Sequence, residues 1–119
     1  MSKPKKCISV EEAEALYSNW QSTRASALSS LFPQDPSDFV FSLSELEEFL
    51  EYVRTNSADQ GIDNPGIRIY FSAYNSITSN KATVMLAPTV GAEANSANNY
   101  DIEAFNTVTG GWPPNAYNE

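Results

Sequence analysis

The sequence predicts an α+β fold, with two helices packed on one face of a small, mainly antiparallel sheet of three or four strands. Three observations predict it. Two segments, opening at Ser9 and Ser42, repeat apolar residues at three- and four-residue steps. Two later runs, residues 67–74 and 82–87, alternate with a period of two. Both helical segments also precede the hairpin, with only a brief strand between them, which favours segregated layers.

Each element has a local reason. Residues 1–8 hold Lys3, Lys5 and Lys6 and form a flexible basic arm, leaving residues 9–119 as a single α+β domain. Ser9 stands three residues before Glu12, the spacing of a capping box. Val10, Ala13, Leu16, Tyr17 and Trp20 then share one helical face, which Leu28 and Leu31 extend if the helix runs on towards Pro33. Phe39, Val40 and Phe41 read as a brief strand. Ser42 with Glu45 repeats the capping-box spacing, and Phe41 with Leu46 has that of a hydrophobic staple. Leu43, Leu46, Leu50 and Val53 line a helix over 43–59, and Gly61 supplies a left-handed stop. After the Asn64-Pro65-Gly66 turn, residues 67–74 and 82–87 form an antiparallel hairpin that Pro88 ends. Residues 100–104 alternate and suggest one more strand.

Composition excludes more than it selects. The 119 residues suffice for one core, burying roughly two-thirds of the unfolded surface. There is no histidine and one cysteine, which removes Ser-His-Asp and Cys-His nucleophile systems, His- or Cys₄-ligated zinc and internal disulfides. A net charge of −8, with bases scattered outside the arm, disfavours a phosphate backbone as partner. No apolar run approaches the roughly 18 residues that would cross a bilayer. The start carries no signal peptide, because Glu11, Glu12 and Glu14 follow the lysines at once. A cytoplasmic protein binding neither nucleic acid nor membrane is expected, with Cys7 a reduced thiol.

Four segments taken in order, residues 42–53, 64–71, 82–89 and 110–114 (Gly-Gly-Trp-Pro-Pro), resemble a family of small uncharacterised proteins from flavobacteria and their relatives. The resemblance runs from about Ser9 to Pro114, and its most specific part is the Gly-Ile-Arg-Ile-Tyr-Phe strand followed by Ala-Pro-Thr. It implies a bacterial source and a compact domain. It carries no activity, cofactor or site residue across.

The residues themselves offer four contacts. Arg68 and Tyr70 share the strand face opposite Ile67, Ile69 and Phe71, where an arginine beside a tyrosine can hold a carboxylate or stack on a planar ligand. The competing role for Arg68 is a pair with Asp101 or Glu103 on a neighbouring strand. Tyr74 ends the same strand, and Trp112 with Pro113 and Pro114 either presents an apolar surface or plugs the core edge. Trp20 and Arg24 are spaced for stacking one turn apart. Asp59 with Asp63 and Asp35 with Asp38 lack the spacing of a calcium loop, so no metal, cofactor or catalytic set is predicted. The expectation is a non-catalytic binding or protein-interaction module for another protein or a small anionic or planar ligand. The alternative is a small histidine-independent enzyme using carboxylate or tyrosine chemistry.

Overall fold

Serine hydroxyls start both long helices. The structure, a computed structural model, describes residues 2–77, 79–106 and 116–118. It comprises two units, Met1–Ser37 with Gly111–Glu119, and Asp38–Gly110.

In the first unit, Ser9 Oγ accepts from the Glu12 N–H at 3.0 Å and the Glu12 carboxylate accepts from the Ser9 N–H at 3.4 Å. This complete capping box opens α1 (Val10–Trp20). The helical path then widens into a π turn at Gln21–Ala25 and resumes as α2 (Ser26–Leu28). Side-chain hydroxyls explain the widening, because they compete for the carbonyls that hold an α-helix closed. Thr23 Oγ1 donates to the Asn19 carbonyl at 2.6 Å, and Ser26 Oγ to the Ser22 carbonyl at 3.2 Å. The wider turn also removes the one-turn spacing of Trp20 and Arg24, and Arg24 donates instead to Thr23 Oγ1 at 3.2 Å.

The second unit holds α3 and the sheet. Ser42 Oγ accepts from the Glu45 N–H at 3.1 Å and opens α3 (Leu43–Asp59). Only this half of the predicted box forms, and Ser42 Oγ also meets Ser44 Oγ at 3.2 Å. Gly61, at φ 77°, ends the helix in the left-handed region that glycine enters without a steric cost. β1 (Gly66–Ala73) and β2 (Ala82–Thr89) make the predicted antiparallel hairpin, pairing Ile67 with Pro88, Ile69 with Leu86 and Phe71 with Val84. β3 (Phe105–Asn106) pairs with Met85 and Leu86, giving the order β1-β2-β3. The class is therefore α+β with a three-stranded antiparallel sheet.

Three local expectations move. Pro88 lies within β2, where its carbonyl accepts from the Asn99 N–H at 2.8 Å. Its missing donor therefore faces the short side of the sheet and costs the β1 ladder nothing. Residues 100–104 are not a strand, because the Ile102 N–H donates to the Asn99 carbonyl and the Asp101 N–H to Asn99 Oδ1. That asparagine makes a turn and delays pairing to Phe105. Phe39 makes a single bridge where a brief strand is predicted.

The core is small and lies between α3 and one sheet face. Phe49, Val53, Leu86 and Ile102 are buried, with Phe41, Leu46, Ile67 and Phe105 packed against them. Phe105 stacks on Phe49 at 4.9 Å and on Phe41 at 5.6 Å between ring centroids. Cover stops short of the far half of β1: Ile69 is 64% exposed and Phe71 92%.

Candidate functional site

Strand alternation puts Arg68, Tyr70 and Ser72 on the face away from α3, with Ala87, Met85 and Thr83 of β2 beside them. Part of this face is covered. After β2 the chain turns back, and the Thr89–Asn98 bridge with the Val90 N–H bond to Ala97 lays residues 90–99 over the Arg68 end. Gly66 makes room for that return. A Cβ there would come within 2.6 Å of Thr89 Oγ1 and 2.8 Å of the Gly91 carbonyl.

The returning segment holds the guanidinium. Arg68 Nη2 donates to the Ala94 and Ser96 carbonyls at 2.9 and 2.8 Å, and Nη1 donates to Asn98 Oδ1 at 2.5 Å. Neither Asp101 nor Glu103 is its partner, and among the described residues Arg68 takes part in no ion pair. A half-buried positive charge is thus satisfied by neutral oxygens alone. Charges removed from water are normally matched by an opposite charge.

Asn98 joins this arginine to two phenols. Its Nδ2 donates to the Tyr70 hydroxyl oxygen at 2.8 Å and to the Tyr100 hydroxyl oxygen at 3.3 Å. The bond from Asn98 lowers the pKa of the Tyr70 phenol from its usual 10.0. The Arg68 guanidinium adds to that by hydrogen bonding and charge, against the opposing effect of partial burial. Tyr74 enters a separate set. Its hydroxyl donates to Asn106 Oδ1 at 2.8 Å, while Asn106 Nδ2 donates to Thr83 Oγ1 and the Val84 carbonyl at 3.1 and 2.7 Å. That set ties β3 to β2 and leaves Tyr74 engaged in holding the sheet.

Of the four contacts expected from sequence, Arg68 and Tyr70 are brought together, Tyr74 is placed apart from them, and Trp112 lies outside the described residues. Sequence reasoning missed Asn98 and Tyr100. Asn98 is signalled only by a group of asparagines in an otherwise small-residue stretch, which has no periodicity to assign a partner, and Tyr100 reads as part of the alternating run 100–104.

A concavity of about 830 Å³ lies elsewhere, within the first unit, lined by α1 residues including Glu11, Glu14 and Tyr17 and by Gln21 of the π turn together with 116–118. None of the Arg68 set borders it. Among the described residues no three acidic or thiol side chains are grouped to hold a metal ion, and no helix is long and apolar enough to cross a membrane. No protein-family model matches the chain, and the searches of curated proteins and of solved structures return no match either.

Proposed function

We propose that the protein is a non-catalytic, cytoplasmic binding module that takes an anionic group, on a small molecule or another protein, at Arg68, Tyr70, Asn98 and Tyr100. The observation that carries this reading is the guanidinium held by neutral acceptors and taking part in no ion pair among the described residues. Such a cation keeps its charge available to a ligand. The net charge of −8 opposes anions at long range. At physiological salt, however, exposed acids farther away than about 8 Å are largely screened, so the local cation decides.

The test is a titration of the intact protein with acetate, sulfate and phosphate at constant ionic strength, followed by amide and side-chain NMR. The Arg68 Nε–H and Asn98 Nδ2 signals should move in a saturable way with at least one oxyanion and stay still with chloride. If no oxyanion moves them, the reading fails. A second reading, proton transfer by Tyr70, is favoured by its lowered pKa beside a guanidinium. It would require a reaction lost in Tyr70→Phe while binding is kept.

A further inference from the structure

The hydrogen count around Asn98 says more than that a charge is present. An amide nitrogen carries two hydrogens, and here both are spent on phenol oxygens, those of Tyr70 and Tyr100. Each phenol is therefore an acceptor towards Asn98, and its own O–H must donate elsewhere. A guanidinium has five N–H groups. Three are committed to Ala94, Ser96 and Asn98, which leaves two. Two N–H groups of Arg68 and two phenol O–H groups are left as donors around one amide, and Tyr100 is 89% exposed.

We infer that this set is a receptor for a phosphate monoester, with Arg68, Tyr70 and Tyr100 each donating to a different oxygen of the phosphoryl group. Three donors approaching from different residues match the three terminal oxygens of a monoester better than the two coplanar oxygens of a carboxylate. The fixed positions also matter. Arg68 is locked by two carbonyls and an amide, and Asn98 is locked in turn by Arg68, so little side-chain entropy is lost on binding. The inference rests on the anion-binding reading above and narrows it to one chemical class.

The test compares inorganic phosphate, glycerol phosphate, a short phosphoserine peptide and acetate by calorimetry and NMR on the intact protein. Wild type should bind the phosphates in a saturable way and at least about tenfold more tightly than acetate, as expected when a charge-assisted hydrogen bond is added. A tighter peptide assigns the phosphate to a protein, and equal binding of glycerol phosphate assigns it to a small molecule. Tyr100→Phe is the decisive variant, because so exposed a side chain can lose its hydroxyl without disturbing the fold. Phosphate binding should weaken by about three- to tenfold with an unchanged melting temperature. Acetate binding as tightly as phosphate, or Tyr100→Phe binding phosphate like wild type, overturns the inference while leaving the anion site standing. Binding of none of these anions overturns both.

Discussion

The Tyr70 phenol oxygen accepts from the Asn98 amide at 2.8 Å, and this bond, with the Arg68 charge nearby, lowers the phenol's pKa. The fold therefore favours its tyrosinate, and the folded pKa lies below the unfolded value near 10. The stability this provides is absent below the folded pKa. It grows as pH rises through the window between the two values and is complete above the unfolded one. Ultraviolet titration should show one of the six tyrosines ionising first, and Tyr70→Phe should remove that component. If the first component survives the substitution, the assignment of the hydrogen bonds around Asn98 is wrong. The residue scale also shows what alternation can and cannot reveal. Period two put Arg68 and Tyr70 on one face, and the β1–β2 register agrees. Alternation says nothing about acceptors that come from an irregular segment, so Ala94, Ser96 and Asn98 were invisible while two nearby acids were the natural guess.

Among the elements, α3 was the most legible in its limits, where a serine cap and a glycine stop agree. The predicted stripe holds only in part: Leu46 and Val53 face the core, while Leu43 and Leu50 are exposed and Phe49 is buried in their place. Another buried position is polar. Ser57 is fully buried and its Oγ has no hydrogen-bond partner. An unmet hydroxyl costs about 1–3 kcal/mol of desolvation, so Ser57→Ala should stabilise the protein by about 1 kcal/mol, read as a higher denaturant midpoint at constant slope. A lower midpoint would mean that the hydroxyl is satisfied in solution. β3 was misplaced for the opposite reason. Residues 100–104 alternate correctly for a strand, yet Asn99 captures two backbone N–H groups around its turn and pairing begins only at Phe105. Local turn chemistry outweighed periodicity there.

For the molecule as a whole, the uneven cover of the sheet is the main departure from the layered picture. α3 buries the Ile67, Leu86 and Phe105 end of one face, while Ile69 and Phe71 on the edge strand remain open. Sequence alternation identified the apolar face correctly but could not say how far a helix reaches across it. Exposed apolar groups on a strand whose outer edge is paired by none of the described residues invite self-association, and charge is the usual remedy. Phe71→Lys should reduce concentration-dependent light scattering while changing unfolding free energy by no more than about 0.5 kcal/mol. A large loss of stability would mean that the ring is packed in solution. The Arg68 cluster has a further consequence for the order of folding. Its acceptors lie 26 to 30 residues downstream of the arginine, beyond the whole hairpin. Closing so wide a loop carries an entropic cost that is recovered only once β1 and β2 are zipped, so the receptor assembles late and is the first feature released when the sheet frays.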